Sequence, residues 1–317
     1  MSLSRFTKYT ISVIVLNLLV ILWGSYVRQT GSGDGCGSHW PLCNGEVIPL
    51  APNTKMIIEF THRLSSGLAL LMVIGLVIYA FRAFSKGHLA RKAAAGALAF
   101  TFVSALIGAG LVLFHLVGSN DSMVRGGVLT AHLINTMLLL GSLTVAAWAG
   151  SGGRKLSLKG HGLAGWLVAI GAFAVLLVGM SGAITSLGDT LYPRDSSAQV
   201  ILEGLSPAGN LLIRLRLWHP FIATGVGVYL FFMAALLGDM RPDPAVARAL
   251  KFVVAMVILQ IAVGVVNVWY KAPMTISLIH LFLADALWIA MVLAGVSAFT
   301  SSARKASQQD GRLQTAE

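Results

Sequence analysis

Charge is scarce in this chain. Only 11% of its 317 residues are Asp, Glu, Lys or Arg, and just 12 of them are acidic. A soluble domain of this size carries about 25% charged residues to keep its surface in water, so the composition excludes an ordinary soluble fold. Cysteine is scarcer still, with two residues, which excludes a disulfide-dense scaffold and a four-thiolate zinc module. Apolar residues fill the space: 56% of the chain is hydrophobic and the mean hydropathy is +0.79.

Runs of about 20 apolar residues cross a hydrocarbon layer of roughly 30 Å as helices. Eight such runs occur, at 10–28, 57–81, 93–116, 125–149, 163–186, 214–238, 249–270 and 276–299. They predict an all-α polytopic membrane protein of eight transmembrane helices. The basic residues set its orientation. Arg5 and Lys8, then Arg82, Lys86, Arg91 and Lys92, then Arg154, Lys155 and Lys159, then Arg241, Arg248 and Lys251, then Arg304, Lys305 and Arg312 fall on the side shared by both termini. The positive-inside bias makes that side the cytoplasm. The net charge of +11 is then a topology signal, with no nucleic-acid partner implied. The first run, with Asn17 inside it and no small-residue cleavage site after a short apolar core, predicts a retained helix and not a signal peptide. The expected location is the cell membrane, multi-pass, with both termini cytoplasmic.

The outer segments are 29–56, 117–124, 187–213 and 271–275. The first reads "RQTGSGDGCGSHWPLCNGEVIPL" from Arg28 and holds both Cys36 and Cys43, with six residues between them, on the oxidising side. A disulfide is expected there, acting either as a structural clip or as a redox pair. Zinc is the weaker alternative, because His39 supplies only a third ligand and the spacing fits no standard finger.

The loops alternate long and short, and "ALIGAGLVLF" in the third run matches "QIAVGVVNVW" in the seventh, as "LTAHLINTMLLLG" in the fourth matches "ISLIHLFLADALW" in the eighth. Two repeated four-helix bundles follow, related by an axis along the membrane normal. The N-terminal half spans 1–160 and includes the outer cysteine loop 29–56, the C-terminal half spans 161–300, and 301–317 is a cytoplasmic tail.

Four of the eight histidines, His62, His132, His219 and His280, begin even-numbered runs. All even runs cross in the same direction, so the four imidazoles share one depth near the outer face. Each half supplies one from its second helix and one from its fourth. A polar side chain in lipid is costly unless it meets a partner or a cavity, and two facing imidazoles in a four-helix bundle ligate heme iron from both sides. His39, His88, His115 and His161 have no such pattern. Gly67, Gly108, Gly110, Gly225, Gly227 and Gly264 leave room for a flat macrocycle or for close helix packing. Arg28, Arg63, Arg125, Arg214 and Arg216 sit where guanidinium groups can hold heme propionates.

"TGSGDGCGSHWPLCNG", "EFTHRLSSG", "LTAHLINT", "LWHPFIATG" and "IHLFLADALW" together resemble the heme A synthase family, over nearly the whole chain to about residue 300. The resemblance implies oxidation of heme O to heme A for terminal oxidases: one porphyrin methyl group is hydroxylated in succession and water is lost to leave a formyl group. It implies a resident heme b between His219 and His280, and substrate heme between His62 and His132 with Glu59 beside it. A second cysteine pair found in some bacterial members has no counterpart in 187–213. Implied partners are heme O, membrane lipid, an electron donor whose identity is not specified, and a heme O synthase or a second copy of the chain.

Glu59 and His62 share a helical face at i and i+3, whereas Arg216 stands at the matching place before His219. The N-terminal site alone then has a group suited to acid/base work. The structural alternatives for Glu59 are an ion pair with Arg63 or Lys55, or simple placement at a helix N-terminus. Asp285, inside the eighth run, calls for a polar neighbour or a proton path, with Asn267 and Asn135 as candidate partners. Two other function classes fit part of the pattern. A diheme electron-transfer or thiol-oxidising protein explains the ligands and cysteines but not Glu59. A transporter is disfavoured because polar residues cluster at the outer ends and not at the midplane.

Overall fold

The computed structural model describes residues 3–153, 156, 161–193, 202, 204–206 and 211–300. Arg154, Lys155 and Lys159, the tail 301–317 with Arg304, Lys305 and Arg312, and most of the outer segment between 194 and 210 lie outside the described residues.

Among the described residues eight long helices form: α1 Arg5–Gln29, α2 Thr54–Ala83, α3 Leu89–Leu113, α4 Met123–Gly150, α5 Gly162–Leu191, α6 Leu211–Met240, α7 Pro244–Trp269 and α8 Met274–Thr300. All eight are long and apolar enough to cross a membrane, and the chain is a multi-pass membrane protein. Most of the helices outrun their apolar stretches because polar caps stop them in water. Ser4, Asn53, Ser122 and Asp243 accept backbone N–H groups in the first turns of α1, α2, α4 and α7, satisfying donors that have no partner within the helix.

Two ends differ from expectation. α5 continues to Leu191 through residues read as loop from 187. The polar side chains there are engaged: Asp189 pairs with Arg216 at 2.8 Å, and Arg28 binds Ser186 and Thr190. α3 stops at Leu113, so His115 lies beyond it with a φ of +54°.

The helices pack as two four-membered rings. α1 touches α2 and α4, and α3 touches α2 and α4. In the same pattern α5 touches α6 and α8, and α7 touches α6 and α8. The rings meet where α4 packs on α5 and α8, and where α1 packs on α8. Fewer than half the residues of any span's most apolar window are buried. Leu64, Leu71, Phe173, Phe232 and Val265 face outward, as a lipid-bathed surface allows. Inside the C-terminal ring a cluster around Leu230, Met233, Trp288 and Met291 fills the core, and Trp288 donates its indole N–H to the Met137 carbonyl on α4.

Arg28 ties the rings together at one end. From α1 it donates to the Ser186 carbonyl at 2.9 Å, the Ser186 hydroxyl at 2.6 Å and Thr190 Oγ1 at 3.1 Å, all on α5. A hydrogen bond to a charged group contributes about 1.5–3 kcal/mol. Arg28→Ala is expected to lower the thermal midpoint of the detergent-solubilised protein by several degrees while leaving its helix content intact, as read by circular dichroism. An unchanged midpoint would show that the helix packing alone holds the halves.

Candidate functional site

All four repeated histidines line one cavity of about 1210 Å³. Ordinary ligand pockets measure roughly 300–1,000 Å³, so the space exceeds that of one typical small ligand. His62, His132, His219 and His280 each enter within the first three turns of α2, α4, α6 and α8. Glu59, Arg28, Arg63, Arg125 and Arg216 line the same cavity, and Arg214 does not.

The helices approach the imidazoles through glycine. A Cβ added at Gly24 on α1 would sit 2.9 Å from His62 Cε1, one at Gly182 on α5 would sit 3.2 Å from His219 Cε1, and one at Gly264 on α7 would sit 3.0 Å from His280 Cε1. Gly24 thus stands to His62 as Gly182 stands to His219. The place on α3 that matches Gly264 carries Ala109. By contrast, a Cβ at Gly67, Gly108 or Gly225 would meet nothing within 4 Å, so these three open space and do not serve packing.

The ring nitrogens are sparsely partnered. Among the described residues the buried Nδ1 atoms of His62, His132 and His280 have no hydrogen-bond partner. His219 Nδ1 lies 2.8 Å from Ser181 Oγ on α5, and Gln260 Nε2 lies 3.3 Å from His280 Nε2. An imidazole fixed through one nitrogen presents the other to a metal, so Ser181 is an orienting group for His219. Ser181 and Gln260 escaped the sequence reading because neither has a polar counterpart in the other half at the matching place.

Over the N-terminal side lies the outer loop. The Cys36–Cys43 disulfide closes it, and the Cys43 and Glu46 backbones exchange two hydrogen bonds at 2.9 Å. Trp40 and Pro41 from this loop line the cavity. Glu59, 3% exposed, is tied to it: Oε2 accepts the Cys36 N–H at 2.8 Å, and Oε1 pairs with the Arg63 guanidinium. Arg63 in turn donates to the His39 and Leu42 carbonyls at 2.6 and 2.7 Å. Both carboxylate oxygens are therefore engaged. The ion-pair alternative for Glu59 is realised with Arg63, while Lys55 approaches Asp34 instead, at 3.9 Å.

The C-terminal site also has a carboxylate, contrary to expectation. Asp189 arrives from α5 and pairs with Arg216, which further donates to the Tyr192 carbonyl at 2.8 Å. Its helix, α5, is one the motif comparison around His219 did not cover. Arg125 donates to the Gly118 and Asn120 carbonyls. Asp285 is 2% exposed, lies off the cavity and leaves Oδ2 without a partner. Neither expected neighbour serves it: Asn135 donates to the Phe100 carbonyl and Ser104 Oγ, and Asn267 accepts from Ser277.

Among the described residues no three His, Cys, Asp or Glu converge as a bare-metal site. Paired imidazoles with free buried nitrogens, an apolar wall and guanidinium groups at one end fit an iron macrocycle bearing carboxylates.

A family model for COX15-CtaA, described as cytochrome oxidase assembly protein, matches residues 7–292. A protein named protoheme IX farnesyltransferase, from Thermus thermophilus, is 44% identical over 308 residues, covering 97% of this chain and 51% of that protein. The chain therefore spans about half the length of that relative. A heme A synthase from Halalkalibacterium halodurans is 30% identical over 220 residues, 69% of this chain and 67% of its own length. One from Alkalihalophilus pseudofirmus is 41% identical over 110 residues, 35% of this chain and 37% of its own length.

The buried Glu59–Arg63 pair generates a test of the loop. Removing one member of a buried pair costs about 3–5 kcal/mol because the other charge stays uncompensated. Arg63→Ala is expected to lower the thermal midpoint and to make the loop 38–50 susceptible to protease, with the disulfide intact. Glu59→Gln, which keeps an acceptor for the Cys36 N–H, should cost less. Equal protease resistance in Arg63→Ala and the unsubstituted protein would show that the disulfide alone holds the loop.

Proposed function

The chain belongs to the COX15-CtaA family of cytochrome oxidase assembly proteins, and from that premise we propose that it is a membrane oxidoreductase converting heme O to heme A. The observation that carries this reading is the single cavity lined by four repeat-related histidines, with three of their buried nitrogens free. His62 and His132 hold the substrate heme O, and His219 and His280 hold a resident heme b. The hemes supply the redox chemistry.

The chain's own residues position, shield and handle protons. His62 and His132 set the height of the substrate ring, and Gly24 lets α1 close against His62. Ser181 orients His219 through its Nδ1. Arg28, Arg125 and Arg216 give the cavity's end a positive character suited to propionates. Trp40 and Pro41, held down by Arg63 and the disulfide, exclude water from above the substrate. Glu59 carries the acid/base role at Oε1 and Oε2, next to the substrate ligand. Its bonds to Arg63 and the Cys36 N–H hold the carboxylate in one orientation. In the C-terminal site the Asp189–Arg216 pair joins α5 to α6 at the cavity wall. The cysteines act as a clip that shapes the lid. Partners on this reading are lipid, a heme O synthase or a second copy, and an electron donor on the membrane, with both termini cytoplasmic and the ligands near the outer face.

The purified protein is expected to contain one b-type heme plus heme O or heme A, by extraction and chromatography. Two b-type hemes alone would favour an electron carrier, and a colourless protein a transporter. His219→Ala or His280→Ala should abolish the low-spin b-type spectrum. Glu59→Gln removes the charge and the proton-donating group. General acid/base help of ordinary size predicts a turnover loss on the order of 10²–10⁴-fold, with heme O or a hydroxylated intermediate accumulating. Near-normal heme A in that variant would reduce Glu59 to a loop clasp.

A further inference from the structure

Between sequence-matched positions of the two halves the cavity lining differs in a way that the ligand set does not explain. With His62 matched to His219, Gly67 on α2 corresponds to Thr224 on α6. With "ALIGAGLVLF" matched to "QIAVGVVNVW", Ala105 and Gly108 on α3 correspond to Gln260 and Val263 on α7. At each place the N-terminal half has the smaller side chain. Gly67, Ala105 and Gly108 all line the cavity, and a Cβ added at Gly67 or Gly108 would meet nothing within 4 Å. In the C-terminal half Gln260 reaches His280 instead.

The spare volume leads outward. Phe102 and Leu106 of α3 line the cavity yet are 50% and 66% exposed on the apolar outer surface, and Gly67 of α2 is exposed beside them. Leu70, which also lines the cavity, stands where the C-terminal half has Gly227. At that level α6 and α7 close: a Cβ on Gly227 would lie 3.0 Å from Ile261 Cδ1 and 3.4 Å from Val257 Cγ1, the counterparts of Leu106 and Phe102. The C-terminal counterparts also line the cavity but are more covered, with Val257 3% and Ile261 36% exposed, and that half reaches the apolar surface at Val265 and Trp269 as well. At this level, then, α3 presents exposed cavity-lining side chains where the smaller Gly227 lets α6 approach Val257 and Ile261 of α7.

We propose that the slot between α2 and α3 receives the long isoprenoid tail of a macrocyclic substrate, and that it is this slot that makes the N-terminal pair the site for a tailed heme. The inference rests on the function proposed above and adds how the substrate is told from the resident heme. The slot is apolar, opens to lipid and starts at the level of the ligand histidines. That shape suits a farnesyl-like chain carried in the bilayer. Lipid is as apolar as the slot, so burial supplies little selectivity. Discrimination comes from fit, and filling the slot with side chains should remove it.

The test exchanges repeat counterparts. Gly67→Thr, Ala105→Gln and Gly108→Val, singly and together, are made in the full chain in lipid nanodiscs. Each protein is titrated with heme O and with tail-less protoheme, following the absorbance change that disappears in His62→Ala. Unsubstituted protein is expected to prefer heme O, and the combined variant to lose roughly 10–200-fold of that preference, the range seen when a hydrophobic pocket no longer fits its ligand. Protoheme binding should persist. An intact resident-heme spectrum certifies the fold, and Gly67→Thr alone, placed in open space, serves if the combination does not fold. Unchanged preference in a folded variant overturns the slot, as does equal loss of both macrocycles. Both macrocycles binding the unsubstituted protein equally also overturns the slot and leaves the function standing. Neither macrocycle binding through His62 and His132 overturns the function as well.

Discussion

An imidazole surrounded by apolar helices has lost its water and must be given something in return. Four of them at one level set the terms for the rest of this molecule. Glycines at 24, 182 and 264 bring a neighbouring helix against three of the rings, yet nitrogens on three of the four rings stay without a protein partner. A structure built only for stability would fill such space or pair such atoms. Retaining both is intelligible when a ligand completes the site.

The two halves meet the same electrostatic requirement by different routes. Each sets a carboxylate beside a guanidinium at the cavity. In the N-terminal half both come from α2, as Glu59 and Arg63 one turn apart, and the pair's spare bonding capacity holds a disulfide-closed loop over the opening. In the C-terminal half Arg216 on α6 takes Asp189 from α5, which stays helical five residues beyond its expected end. The first arrangement makes a lid whose position is coupled to the acid. The second makes a braced wall. This asymmetry, together with the more exposed cavity lining on α3, accords with the proposed division between a substrate site and a resident-heme site.

The eight helices and the grouping of four histidines at one cavity were legible in the chain itself. Lipid demands apolar runs of about 20 residues and tolerates few polar side chains within them, so both the runs and the exceptions stand out. The repeat then sorted His62, His132, His219 and His280 from four histidines that recur nowhere. The engagements of Glu59 were less open to reading. Arg63 is a helical neighbour and was foreseen as an alternative. The Cys36 N–H, 23 residues upstream, reaches Glu59 only through the irregular path of the loop.

By itself, then, the sequence determined the number, length and order of the helices and the level at which the imidazoles lie, because these follow from local hydrophobicity and its period. Tertiary structure decided which groups meet: Arg28 with Ser186 on the other half, Asp189 with Arg216, Gln260 with His280, and Asp285 with neither of its expected partners. It also decided that Phe102 and Leu106 of α3 are exposed at the cavity wall while Val257 of α7 is buried there. Such contacts depend on the rotation and spacing of packed helices, which are set by side chains far apart in the chain and leave no periodic mark along it.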